Sequence, residues 1–350
     1  MTLSRQVSIK RVNLAELRPE DRRSINQILE QSTNATVFHT VEWNELLSKE
    51  FGLRDVTLLA TVASKPAGLC CFYEGPGHLL RSSAIHLESA YGGPITTGDP
   101  RVVVELLKEA EKSRGVARFE IWTPANYDIA PLLGVGYSSR EMYTSILDLC
   151  KSEDELWKGI HRKRRASIRK ATDSQLSVVP GDAALVDDYY EMVVSTFTRA
   201  QIDALPKTFY GRVVGELGPK GMAKFLLASY DGHLIAGVIV LPYKDTLYGW
   251  HMASHKEYWH LAPNDFLQWE LIKWAKQEGY RYYDLLRVEP DHLPGIAHWK
   301  TSFGGDTVPC YYVRKATLAY KLLQRLSLLS NPRTAIRRGW ALLAGRADAH

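Results

Sequence analysis

Apolar residues alternate with small or polar ones in LLATVASKPAGLCCFY (58–73), a pattern that predicts two β-strands joined by a tight turn. The pattern returns in LLASYDGHLIAGVIVL (226–241), where Asp231 and Gly232 tolerate the positive φ of a hairpin turn. A second pattern follows each hairpin, in DPRVVVELLKEAEKSRGVARFEIW (99–122) and APNDFLQWELIKWAKQEGYRYYDLL (262–286). In both, a proline opens a helix, apolar residues recur at helical spacing, and a glycine (Gly115, Gly279) ends it before an aromatic-rich strand. Asn264 is predicted as an N-cap and Gly279 as the left-handed residue after the last turn. The copies lie roughly 165 residues apart, a domain-sized period and too long for a solenoid.

The repetition predicts two α+β units, each an antiparallel hairpin, a third strand, a helix, and a strand parallel to the third. The boundary falls near residue 150, between TSILDLC and KSEDELW, giving domains over 1–150 and 151–315. Residues 316–350 have no counterpart in the first half. There Leu322, Leu323, Leu326 and Leu329 make one apolar stripe, and Ile336, Trp340 and Leu343 another, among Arg325, Arg333, Arg337, Arg338 and Arg346. Such a basic amphipathic tail either lies on an anionic membrane surface or docks on the first domain.

A chain of 350 residues with 45% hydrophobic and 24% charged residues is an ordinary globular protein, long enough for two domains. The net charge of +5 is mild, so its distribution matters more than its size. Cys70, Cys71, Cys150 and Cys310 form no CxxC pair, which favours buried thiols in a reducing compartment. The N-terminal MTLSRQVSIKRVNL lacks a signal-peptide core, and no run of apolar residues is long enough to span a bilayer; a cytoplasmic protein is expected.

The densest charge is KGIHRKRRASIRK (158–170), seven cations with no acid among them. At helical spacing Arg162, Arg165 and Arg169 share a face that repels itself unless phosphates or carboxylates neutralise it. Nucleic-acid phosphate and nucleotide pyrophosphate both qualify. In LPKTFYGRVVGEL (205–217) Pro206 heads a helix whose apolar residues are mostly core, with Tyr210 a candidate for a site. A coenzyme A user of this topology needs a glycine loop between the third strand and the helix, where amides meet pyrophosphate. The second copy has KEYWHLAPNDF there, without glycine, and the first has YGGPITTGDP, without a basic residue. His251, His255 and His260 fall in a strand end and loop, so their spacing does not make a metal site. No HExxH, P-loop or Ser-His-Asp order is present.

Several segments, in order, resemble the FemABX peptidoglycan interpeptide-bridge transferases: VFHTVEWNELL, LWKGIHRKRRASIRKA, LPKTFYGRV, the second hairpin and helix, and GIAHWKTSFGG. The resemblance covers most of the chain and implies two tandem GNAT-like domains of α+β class. It also implies transfer of an amino acid from aminoacyl-tRNA to the stem-peptide amine of a cell-wall precursor, with no cofactor. The long helical arm of some members is missing. Trp299 stands where the family commonly has phenylalanine before the lysine, Thr123 where some members carry an acid, and Lys49 near a phosphate-gripping lysine of compact members.

On that resemblance Lys300 is the expected cation at the donor phosphate or developing oxyanion, with Trp299 stacked beside it. Arg162, Arg165, Arg169 and Tyr210 are donor-binding candidates, and Trp43 and Lys49 border the acceptor groove. Glu270, Glu289 and Asp291 are candidate bases, and Asp284 is expected to be structural. The glycines after Lys300 are expected to bring the backbone close to a ligand. Two other readings stay open. One is an acyl-coenzyme A N-acyltransferase acting on an amino sugar of a surface polysaccharide. The other is a non-catalytic module binding RNA or anionic membrane.

Overall fold

The computed structural model describes residues 6–75, 79–81, 90–113, 118–291 and 293–317. The tail beyond Thr317 and the predicted stop at Gly115 lie outside the described residues. The chain divides into two compact units, one running to Glu141 and resuming at Cys310, the other Met142–Pro309.

In the first unit, strands β1 (Val7–Val12), β2 (Arg54–Val62), β3 (Lys65–Gly75) and β4 (Leu79–Arg81) pair antiparallel in that order. The short β5 (Ile95–Thr96) adds to β3, and β6 (Arg118–Trp122) runs parallel to β4. Helices α1 (Pro19–Gln31), α2 (Val41–Phe51), α3 (Pro100–Glu111) and α4 (Ala130–Gly134) complete it. Asp99 caps α3 by accepting from the Arg101 amide, and Pro100 fills the first helical position, where an N–H would have no intrahelical partner. The helix buries Val102, Val103, Leu106, Leu107 and Ala110 against Leu58, Cys70, Phe72 and Ile121 of the sheet.

The second unit repeats the plan. It takes β7 (Ser138–Asp148) from Met142 onward, then α5 (Glu153–Gly159), α6 (Arg162–Asp173), β8 (Ser177–Pro180), α7 (Val186–Arg199) and α8 (Lys207–Arg212). There follow β9 (Lys224–Tyr230), β10 (His233–Tyr243), β11 (Thr246–Ser254), α9 (Pro263–Gln277), β12 (Tyr282–Val288) and α10 (Pro294–Thr301). Strands β8 to β11 pair antiparallel in sequence, β12 runs parallel to β11, and β7 closes the series antiparallel to β12. Helix α9 buries Phe266, Leu267, Leu271, Ile272 and Ala275 on this sheet.

Both predicted hairpins form, and both turns hold two left-handed residues: Ala63 (φ 49°) and Ser64 (φ 63°), then Asp231 (φ 49°) and Gly232 (φ 77°). Gly279 is left-handed at φ 85°, as expected. The N-cap of α9 is Ala262, not Asn264: Pro263 fixes the first helical position and moves the cap two residues earlier.

The last strand of each sheet was assigned differently from the sequence. The boundary near residue 150 left β7 with the first domain, and the boundary at 315 left β13 (Asp306–Ala316) with the second. By pairing, β7 lies against β12, while β13 from Tyr312 lies against β6. Each sheet is finished by a strand that follows the other unit's parallel pair in the chain. Among the described residues no helix is long and apolar enough to cross a membrane.

Candidate active site

The parallel strands β11 and β12 pair over three positions, from Thr246↔Tyr282 to Tyr248↔Asp284, although both continue further. Just past the last pair each strand bulges. On β11, His251 lies opposite Ile239 and Gly249 opposite Val240, so Trp250 is the extra residue. On β12, Asp284 lies opposite Ile146 and Arg287 opposite Thr144, which also inserts one residue, and Leu286 adopts φ 58°. Bulges bend a strand and re-aim its side chains. Asp284 holds the second bulge, its carboxylate accepting from the Leu286 amide at 2.8 Å and from the Thr144 hydroxyl. The structural role expected of Asp284 is therefore concrete: it fixes the left-handed turn of β12.

Polar side chains collect beyond these bulges. Lys300, on the last turn of α10, donates from Nζ to the Arg287 carbonyl oxygen at 2.8 Å. Burial, then the Arg287 charge, lowers the Lys300 pKa from 10.5 to about 8, against the opposing pull of Asp284 and Glu289. Arg287 pairs with Glu289 at 3.2 Å. On β11 the bulge stacks the Trp250 and His251 rings at 4.2 Å and 9°. His251 Nδ1 lies 2.8 Å from the Tyr210 hydroxyl, and Tyr210 is fully buried on α8. Burial, and secondarily the Lys300 charge, holds His251 neutral, its pKa lowered from 6.5 to about 3. Tyr210 thus contacts His251, a residue whose sequence context showed only a strand end, and the Lys300 charge acts on His251 electrostatically.

Trp299 turns away from Lys300. Its indole N–H donates to Asp265 Oδ1 at 2.8 Å, and its ring packs edge-on against Phe303 at 5.0 Å. Asp265, 4% exposed, sits in the first turn of α9 and accepts two further bonds of 2.9 Å from Arg164 Nη1. Arg164 Nε reaches the Ser302 hydroxyl at 3.1 Å. These contacts lock α6, α9 and α10 together, so Trp299 anchors the helix that carries Lys300. Arg164 was hidden among its six cationic neighbours in the sequence. The one available signal was Asp265, an acid three positions into a proline-opened helix.

The other cations of the basic run do not converge on Lys300. Arg165 donates to the Lys158 carbonyl at 3.0 Å, in the last turn of α5. Arg169 lies 5.3 Å over the Trp157 ring, exposed to solvent, and Arg162, Lys163 and Lys170 are exposed as well. Glu270 pairs with Lys273 at 2.8 Å, Glu289 with Arg287, and Asp291 is exposed.

In the first unit Trp43 is 1% exposed and packs edge-on to Phe38 at 5.3 Å. It belongs to the core and is not among the residues that line the groove beside Lys49. Lys49 does line that groove, of about 680 Å³, with Arg11, Asn13, Ser48, Arg54 and Asp55. The glycines after Lys300 approach the chain itself. A Cβ on Gly304, at φ 84°, would meet the Gly159 carbonyl oxygen at 2.6 Å, and one on Gly305 the Ser145 hydroxyl at 2.6 Å. Among the described residues no group of three His, Cys, Asp or Glu side chains could hold a metal ion.

Residues 158–301, which include Arg164, His251, Asp265 and Lys300, match the family model of the acetyltransferase (GNAT) domain. With two units of one plan, the chain has a tandem GNAT-like fold, and the second unit carries the acetyltransferase-domain match. The crystal structure of FemX matches with a TM-score of 0.68 at 14% identity, covering 91% of this chain and 99% of that one. L-PGS from Bacillus licheniformis matches at 0.57 and 14% identity, covering 88% and 96%. A tandem GNAT protein from the clavulanic acid biosynthesis pathway matches at 0.52 and 13%, covering 89% and 98%. At such identities the shared property is the fold. No curated protein matches the sequence.

Proposed function

We propose that the protein transfers an aminoacyl group from aminoacyl-tRNA to an amine of a cell-wall or cell-surface precursor. The observation that carries this reading is the start of α9. In a GNAT unit that used coenzyme A here, the pyrophosphate would need free amides and positive potential at this helix end. Pro263 has no amide hydrogen, and the buried Asp265 carboxylate, paired with Arg164, already occupies the first turn. A second anion there would meet a buried negative charge. A donor whose phosphates lie elsewhere, along the exposed cations of α6, suits this arrangement better. The likeness to FemX and to L-PGS supports an aminoacyl donor.

The chemistry asks little of the protein. The acceptor nitrogen adds to the ester carbonyl carbon, and the carbonyl π pair moves to oxygen. Collapse of that oxyanion expels the ribose oxygen, which takes the proton lost by the amine, leaving an amide and an alcohol. Binding both partners in register and stabilising the oxyanion are the contributions required. Lys300 is the ammonium available for the second. Its hydrogen bond to Arg287 and the anchored α10 hold it in place.

An acyl-coenzyme A donor is the second reading, supported by the acetyltransferase family match. Thermal unfolding of the purified protein separates the two, because a ligand that binds the folded state raises the melting temperature. A charged tRNA that protects the protein and donates its labelled amino acid supports the first reading. Protection by acetyl-coenzyme A with acetyl transfer, and none by tRNA, overturns it.

A further inference from the structure

We infer that His251 is a fixed neutral hydrogen-bond donor, its Nε2–H serving beside the Lys300 ammonium as the second group that receives the oxyanion. The inference rests on the transfer reading above and adds a residue to it. The Tyr210 phenol is buried, and burial raises its pKa far above the ordinary range, so it keeps its proton. Among the described residues the Tyr210 hydroxyl has one hydrogen-bond partner, the His251 ring. The phenolic proton then points to that partner, at His251 Nδ1, 2.8 Å away. A neutral imidazole that accepts at Nδ1 carries its hydrogen on Nε2. Nε2 has no protein partner among the described residues, and His251 keeps 7% of its surface exposed.

Three further contacts fix the ring: Trp250 stacked at 4.2 Å, Phe197 at 5.1 Å, and the His251 carbonyl accepting from Tyr189 at 3.0 Å. The bulge on β11 places the ring just past the point where the parallel strands separate, and Lys300 reaches the matching point on β12 through Arg287. Charged groups around Lys300 are Arg287, Asp284 and Glu289, and the pull of Lys300 on His251 opposes its protonation. An imidazole that stays neutral donates without supplying a proton, so the oxyanion is stabilised and the proton balance of the transfer is unchanged. Tyr210 is a positioning residue, acting through the tautomer it imposes.

The test uses the full-length protein labelled with ¹⁵N-histidine, with the His251 signals assigned by difference against His251→Gln. The expected spectrum shows Nε2 protonated and Nδ1 unprotonated from pH 5 to 9, with no titration. An Nδ1–H tautomer, or an imidazolium forming near pH 6, overturns the inference whatever the substrate. In the transfer assay, His251→Leu should lower kcat by about 10²–10³ with KM nearly unchanged. His251→Gln, which keeps an N–H donor, should recover part of that loss. Tyr210→Phe should release the tautomer, so that an Nδ1–H signal appears in the spectrum and kcat falls. A folded His251→Leu protein with full kcat refutes the oxyanion role. Absence of transfer from every donor refutes the transfer reading and the oxyanion role with it, while the spectrum still decides the tautomer.

Discussion

The Lys300 ammonium donates its 2.8 Å hydrogen bond to the carbonyl of Arg287, a residue of its own charge. Burial and that like charge together lower the Lys300 pKa to about 8, below its ordinary 10.5. Between these values the unfolded chain holds a proton that the folded chain has released, so stability rises with pH across the window. The cost of burying the ammonium is fully present below pH 8 and disappears towards 10.5. Urea unfolding from pH 7 to 10.5 should show this rise in the wild type and lose that increment in Lys300→Met. If the ammonium is the working form, kcat should fall as pH passes about 8. Wild-type turnover from a folded Lys300→Met protein would remove Lys300 from the mechanism.

Asp265 is buried and pairs with the half-buried Arg164, and three helices depend on the pair. Removing one partner leaves the other charge uncompensated, at a cost of about 3–5 kcal/mol. Arg164→Met should therefore lower the unfolding free energy by about that much. Trp299→Phe, which keeps the ring and removes one hydrogen bond, should cost about 1 kcal/mol. Equal losses in chemical denaturation would contradict this ranking.

Gly304 combines a left-handed backbone with a carbonyl 2.6 Å from where a Cβ would sit. Gly304→Ala should destabilise the protein by about 2–4 kcal/mol, combining left-handed strain with a backbone clash. Unchanged ligand affinity in whatever fraction stays folded would show that the glycine serves the fold. A selective loss of donor binding at unchanged stability would restore the ligand-contact role.

Trp43 and Lys49 are six residues apart on α2, yet their substitutions should behave in opposite ways. Trp43→Ala removes a core side chain and should cost about 3–5 kcal/mol. Lys49→Ala should change stability by less than about 0.5 kcal/mol, as surface substitutions do. If the groove it lines holds the acceptor, Lys49→Ala should instead raise the acceptor's KM. Steady-state kinetics at varied acceptor concentration measures this directly.

The duplicated units were legible because hairpins and proline-opened helices are written locally, within stretches such as LLASYDGHLIAGVIVL. Lys300 stood out because it was a cation among aromatics. Tyr210 stood out as a candidate, but Arg287 and His251 did not, because the bulges that carry them are set by pairing between distant strands. Trp299 illustrates the same limit. Adjacent residues of a helix point about 100° apart, since 3.6 residues complete a turn, so proximity in sequence to Lys300 put the indole on another face. The basic run gave the right helix but no way to separate Arg164, which is paired inward, from Arg162, which faces solvent.

The closing strands also set the order in which the protein can be finished. At roughly 5–20 residues per second, β13 leaves the ribosome about 10–40 seconds after β6, with which it pairs. The second sheet has no such wait, because β7 is made before the strand it flanks. The unit that begins the chain is thus the last to be completed, its open edge exposed while the other is assembled. A nonsense mutation shortly before residue 306 would leave the second sheet whole and the first without its final strand.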